Sequence, residues 1–164
     1  MKTTLYPTKN DLPAGVRQAM IELLNQQLAD VLDLGWQAKQ AHWNVKGPQF
    51  FSLHALFDEV AGELDEFSDE IAERSVQLGG LAMGTLQAVV NSSRLPAYPL
   101  NASTGKDHLA ALLSGVATLA ASTRTAIDIA AEAKDADTAD LFTGISRGLD
   151  KMLWKIEAHT QAGD

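Results

Sequence analysis

His54 and Asp58 lie four residues apart, and Asp69 and Glu73 repeat that spacing further along the same run. On a helix turning about 100° per residue, His54 at zero puts Asp58 near 40°, Asp69 near 60° and Glu73 near 100°. One imidazole and three carboxylates therefore share a face. Such donors hold a divalent cation. They suit Fe(II), and also Mn or Zn, and donor type alone does not choose among them. The surroundings favour a cation too. Phe50 to Arg74 carries eight acids, and no Lys or Arg stands between Lys46 and Arg74. Like charges on neighbouring turns repel. A purely solvated face normally intersperses bases. For any one of these acids, a solvated surface is the competing reading.

Axial distance divides the four donors. The midpoints of the two pairs fall at positions 56 and 71. At 1.5 Å per residue that is roughly 22 Å, so one ion cannot use both pairs from one helix. Two copies of the helix packed antiparallel resolve this. A two-fold axis near Gly62 and Glu63 brings His54 and Asp58 of one copy against Asp69 and Glu73 of the other, and symmetry repeats the site. Ala61 and Gly62 at the crossing permit close approach. Asp65 shares the face, as a supporting residue or a bridge near the axis. His42 joins the set, because it precedes the Gly47-Pro48 break by about as many residues as His54 follows it. The expected ligands are His42, His54 and Asp58 from one copy with Asp69 and Glu73 from a second.

Four long helices must carry these residues. Val16, Met20, Leu23, Leu24, Leu28, Val31, Leu32 and Trp36 recur at helical spacing, predicting a first helix from about Asp11 to Asn44. Gly47 suits a helix end and Pro48 a first turn. The second helix runs from about Pro48 to Leu78, where Gly79-Gly80 ends it. A long connection over 79–104 holds a short apolar piece, Leu86 to Val90. Ser103 or Thr104 caps the third long helix, with Asp107 in its first turn. Lys134 to Asp137 forms a short loop, and Thr138 opens the fourth long helix. Two short connections and one long one give an all-α fold, the ferritin-like four-helix bundle, with a short helix between long helices two and three. Residues 1–10 read as a mobile tail, and 11–164 as the bundle.

Composition bounds the remainder. The chain has 164 residues, no cysteine and a net charge of −8. Thiolate metal sites and disulfides are excluded. The charge favours cations over nucleic acid. No apolar run is expected to span a membrane, and the start lacks the apolar core of a signal peptide. A cytoplasmic location is the expectation.

The run KQAHWNVKGPQFFSLHALFDE, then LDEFSDEIAERSVQLGG, resembles the Dps family of mini-ferritins. So does AKDADTADLFTGISRGLDKMLWKIEAH near the C-terminus. The resemblance covers the chain from about Asp11 to His159. It implies a dodecameric shell with an iron-storage cavity and ferroxidase centres at two-fold interfaces. It implies the same ligands: His42, His54 and Asp58, with Asp69 and Glu73 of a partner. It implies oxidation of ferrous iron by hydrogen peroxide, with Trp43 beside the site intercepting stray radicals. Glu59, Glu63, Glu66 and Glu70 form a stripe next to the ligand face that could line the cavity. Asp135, Asp137 and Asp140 resemble acidic entry pores, Asp140 most of all; Asp137 could equally cap the last helix. Ordinary ferritins use Glu-x-x-His motifs within one bundle, and none occurs here. Many relatives coat DNA with a basic tail. This chain has only Lys2 and Lys9 in its first ten residues and no base after His159, so DNA is a weak partner at most. His108 and His159 read as exposed, and Trp36 and Trp154 as packing or interface residues.

Overall fold

The computed structural model describes residues 5–161. Among them are five helices: α1 (Ala14–Asn44), α2 (Phe50–Gln77), α3 (Leu86–Ser92), α4 (Gly105–Glu132) and α5 (Ala136–Gln161). The described residues contain no strand. α1 packs along α2 and α4 along α5, so the chain forms two helical hairpins. The hairpins meet through α1 against α4 and α2 against α5, and α3 lies on α1. Short loops force each hairpin antiparallel; the long connection returns the chain along the bundle. This is the expected four-helix bundle with its extra short helix.

One apolar stripe per long helix builds the core. Leu24, Leu28 and Leu34 of α1 meet Leu53, Phe57 and Leu64 of α2, Leu112 and Leu119 of α4, and Phe142 and Leu149 of α5. Each is at most 2% exposed. Burying a side chain of this size stabilises by about 1.5–3 kcal/mol. α4 is long and apolar enough to cross a bilayer by length and composition, contrary to the sequence expectation. Its buried residues, Leu109 to Ala130, face the other bundle helices, which is the setting of a core helix.

Helix ends follow local chemistry. Thr104 accepts from the Asp107 N–H (3.2 Å), and Asp107 accepts from the Thr104 N–H (3.0 Å), a reciprocal capping box that starts α4. These bonds hold the Asp107 carboxyl below the usual carboxylate range. α5 begins at Ala136, two residues before the expected Thr138. Its cap is Asp135, which accepts from the Thr138 N–H (3.1 Å) and hydroxyl (2.6 Å). Asp137 stays exposed and does not cap. Asp135 is 2% exposed and pairs with Arg74 at 2.7 Å, which removes it from the expected pore acids. The Arg74 Nε also donates to the Thr138 hydroxyl (3.0 Å), so the end of α2 is clamped to the start of α5.

Outside α3 the long connection lacks a helical ladder, and side chains of α1 satisfy part of its backbone. Asn25 donates to the Leu81 carbonyl (3.0 Å), Gln26 to Ser92 (2.9 Å) and Gln37 to Pro96 (3.1 Å). Buried Asp30 binds the Arg94 N–H (2.8 Å) and guanidinium (2.5 Å).

Of the expected tail, residues 1–4 lie outside the described residues. Residues 5–10 are tied down. The Tyr6 N–H donates to the Gly79 carbonyl (2.7 Å), and Leu5 packs against the core. Gly79 has φ +86°, and a Cβ there would sit 2.6 Å from the Tyr6 carbonyl oxygen. Arg17 fastens the same corner, donating to the Leu12 (3.2 Å) and Leu78 (2.9 Å) carbonyls.

Candidate metal centre

α1 ends at Asn44, and α2 begins six residues on, at Phe50 (Gly47, φ +105°, reverses the chain). The turn places the ends of the two helices side by side. His42 and His54 are brought face to face there, with ring centroids 3.7 Å apart and planes inclined by 21°. Their bonding is reciprocal. His42 Nδ1 lies 2.7 Å from the His54 carbonyl, and His54 Nδ1 lies 2.8 Å from the His42 carbonyl. A carbonyl only accepts, so each Nδ1 carries the hydrogen. In the neutral ring this leaves the lone pair on Nε2, the atom a metal would take. The second nitrogen of a ligating histidine is normally held this way. Phe50 packs on the outer side of His54, centroids 5.0 Å apart.

Asp58 stands one turn beyond His54 and is exposed. Lys39 Nζ lies 2.5 Å from its Oδ1. That hydrogen bond holds the Asp58 carboxyl below the usual carboxylate range, with the charges of Lys39, His42 and His54 acting the same way. Sequence reasoning missed Lys39. Its signal was available: it lies three residues before His42, on the neighbouring turn of the same face.

Asp69 and Glu73 are exposed on the same helix, away from the histidines. Glu73 lines a groove with Glu70, Arg74, Gln77, Asp137 and Leu141. Within one chain, therefore, His42 and His54 stack with Asp58 one turn further along α2, while Asp69 and Glu73 lie apart from them. Among the described residues, no three histidine or acidic side chains of one chain converge as a metal cage. Between the two half-sets runs a surface groove of about 500 Å³. Trp36 and Lys39 line one side of it, Asp58 and Asp65 the other, with Gly35 and Gly62 among its lining residues.

Trp43 follows His42 and is 60% exposed. Asp140 is exposed near the α4–α5 turn, where it lines a shallow cavity with Lys134 and Thr143. The acidic stripe is not left to itself. Lys155 of α5 pairs with Glu59 and, at 3.5 Å, with Glu63; Lys151 lies 3.8 Å from Glu63. The Glu59 hydrogen bond pushes the Lys155 ammonium pKa up, and Glu63 adds to it. Lysines from another helix therefore neutralise part of what the second helix lacks in its own sequence. Glu66 and Glu70 remain exposed.

His108 corrects the sequence reading. It is 1% exposed, not solvent-facing. Its Nδ1 lies 2.5 Å from the Tyr98 hydroxyl. The clue was its register, one turn before Leu112 and two before Val116 on the apolar stripe of α4. His159 Nδ1 donates to the Lys155 carbonyl (2.9 Å), a local helix bond.

Residues 21–164 match the ferritin-like domain family. The DNA protection during starvation protein of Agrobacterium fabrum is 51% identical over 161 residues, covering 98% of each chain. DpsC from Streptomyces coelicolor superposes with a TM-score of 0.94 at 28% identity, covering 98% of this chain and 94% of that one. A Dps protein from Vibrio cholerae O1 superposes with a TM-score of 0.89 at 25% identity, covering 96% and 99%. That protein is described as a member of a broad superfamily of ferritin-like diiron-carboxylate proteins.

Proposed function

Because this chain belongs to the ferritin-like family, and within it to the Dps proteins, we propose that two copies join to oxidise ferrous iron with hydrogen peroxide. His42, His54 and Asp58 of one copy, with Asp69 and Glu73 of a second, hold the iron. The reciprocal locking of His42 and His54 carries this reading. It fixes both rings in the tautomer that offers Nε2, one helical turn from Asp58. The groove around Gly35 and Gly62 lies between the half-sets, where a second copy must sit. A two-fold through it makes two centres per pair of chains.

Iron is the substrate here. Two ferrous ions give one electron each to one peroxide, yielding two ferric ions and two hydroxides. Imidazole nitrogens suit the entering Fe(II), and carboxylates favour the harder Fe(III) product. Lys39 occupies Asp58 before iron arrives and must release it for binding. Zn(II) and Mn(II) fit the same donors and compete. Twelve copies form a closed shell that stores the ferric mineral. Trp43 intercepts stray radicals beside the centre, Asp140 lines the entry pore, and Glu66 and Glu70 face the cavity. The protein works in the cytoplasm.

DNA association is the second reading, favoured by the naming of the Agrobacterium relative. Two observations weigh against it here. The chain is acidic, and residues 5–12 are bound to the bundle rather than free to reach phosphate. Multivalency in a shell could raise a weak contact. A gel-shift titration at low salt decides: no retardation, with or without residues 1–10, removes DNA as a partner.

The main test adds Fe(II) and peroxide anaerobically and follows Fe(III) formation. The His42→Ala/His54→Ala variant should lose most of the rate. Equal rates would overturn the assignment.

A further inference from the structure

We propose that Tyr98 and His108 form a redox-active pair, in which Tyr98 surrenders one electron while its hydroxyl proton passes to His108 Nδ1. The inference rests on the iron chemistry proposed above and adds residues that chemistry does not use. The Tyr98 hydroxyl lies 2.5 Å from His108 Nδ1. With the ring hydrogen on Nε2, toward the Asn44 carbonyl, the phenol donates to the lone pair of Nδ1. His108 is buried, and Nε2 makes no hydrogen bond of good geometry. The Asn44 carbonyl and Asp107 favour the protonated ring; Lys46 opposes it. The proton therefore has one short path, with a weak electrostatic cradle at its end.

Surroundings keep the resting pair neutral. Burial pushes the Tyr98 phenol up to about 12, and Asp107 adds to it. Burial likewise holds His108 below the usual histidine range. A phenol that cannot ionise on its own resists losing an electron unless its proton leaves together with it. A base within hydrogen-bond reach supplies that route. Charging a buried imidazole is unfavourable, so the proton returns when the electron does.

Position links the pair to the iron pocket. Phe57, next to Asp58, presents its ring edge to His108, with centroids 6.4 Å apart. Asn44 follows Trp43 and lies two residues after His42. His108 thus packs against both helices that carry the ligands, with Tyr98 on its Nδ1 side.

Electrons balance as follows. A lone ferrous ion meeting peroxide gives ferric ion, hydroxide and a hydroxyl radical. That radical takes one electron from Tyr98 and becomes hydroxide, while the phenolic proton moves to His108. A second ferrous ion then returns an electron to the phenoxyl, and His108 returns the proton. The sum is two ferrous ions oxidised per peroxide, with the tyrosine restored.

The chain contains two tyrosines, Tyr6 and Tyr98, so the radical can be assigned. Iron-free assembled protein is oxidised by radiolytically generated azide radical, and phenoxyl is read by absorption and by freeze-quenched electron paramagnetic resonance. Phenoxyl should persist in Tyr6→Phe, which removes the exposed tyrosine, and vanish when Tyr98→Phe is added to that variant. His108→Gln keeps an acceptor but not a base, so phenoxyl formation should slow by roughly 100-fold. A second arm adds one Fe(II) per two subunits and then peroxide; the Tyr98 signal should appear and decay on further Fe(II). Unchanged phenoxyl when Tyr98→Phe is added to Tyr6→Phe, wild-type rates in His108→Gln, or silence in the iron arm would overturn the relay. The Tyr98→Phe variant keeps the packing of a half-buried ring, which guards against a folding defect in His108→Gln. Ferric yield measured in the same samples reports on the iron reaction separately.

Discussion

Replacing Arg74 by methionine tests how the end of α2, and with it Glu73, is held. Arg74 Nη2 lies 2.7 Å from Asp135 Oδ1, and the two side chains are 10% and 2% exposed. Breaking a buried pair by removing one partner costs about 3–5 kcal/mol, because the other charge is stranded. Asp135 retains the Thr138 N–H and hydroxyl, which places the expected loss at the lower end, about 3 kcal/mol. For a chain of this size, about 3 kcal/mol lowers Tm by roughly 6–12 °C. Asp135→Asn in the same background removes the stranded charge and keeps a capping side chain. The double variant should therefore recover about 2 kcal/mol relative to Arg74→Met alone. Denaturant unfolding by circular dichroism of wild type, both single variants and the double variant, at one fixed protein concentration because assembly shifts apparent stability, gives all four corners of the cycle. Glu73 precedes Arg74, so ferroxidase rate should fall in Arg74→Met and return partly in the double variant. A single variant within about 0.5 kcal/mol of wild type, the range of ordinary surface changes, would refute the clamp. So would a double variant no more stable than the single one.

Lys39→Gln removes the cation that occupies Asp58, so Zn(II) titrated calorimetrically into the assembled protein should bind severalfold more tightly; weaker binding would show Lys39 orients Asp58 rather than competing for it. The depressed His108 implies an acid-side stability loss. Below the unfolded value of 6.5 the unfolded chain binds a proton that the folded chain refuses, so stability falls with pH from there down to the folded value. His108→Gln should flatten that segment of a Tm-against-pH curve, leaving the separate loss below 3.8 as Asp107 protonates. Gly79→Ala puts a side chain at φ +86° and 2.6 Å from the Tyr6 carbonyl; it should cost about 1–2 kcal/mol and open residues 5–12 to limited proteolysis, where an unchanged digestion pattern would mean the segment is held elsewhere.

Local pattern made the helices legible. Apolar residues at three- and four-residue spacing located all four long helices within a few positions, and Thr104 with Asp107 announced its own capping box. The i,i+4 donor pairs on α2, and their separation along its axis, are likewise one-dimensional facts: a rigid helix converts sequence distance into angle and length. That suffices to split the donors into two half-sets. It does not say which ring nitrogen is available. The face-to-face stacking of His42 on His54, and the exchange of Nδ1–H bonds between their backbones, arise where two helices meet across a turn.

Contacts between distant segments decided the rest. Lysines 151 and 155 reach Glu59 and Glu63 from the far end of the chain, so an acidic run without local bases is still partly neutralised. Asp135 rather than Asp137 caps α5 because Arg74, sixty-one residues away, draws it inward. Tyr6 meets Gly79 and Tyr98 meets His108 through packing that no local window contains. The sequence determined the helices, their faces and the kind of atoms offered to a metal, since these follow from backbone periodicity and side-chain chemistry. Tertiary structure decided protonation sites, countercharges and where residues 5–12 are held, since those depend on neighbours that only the folded chain brings within hydrogen-bonding distance.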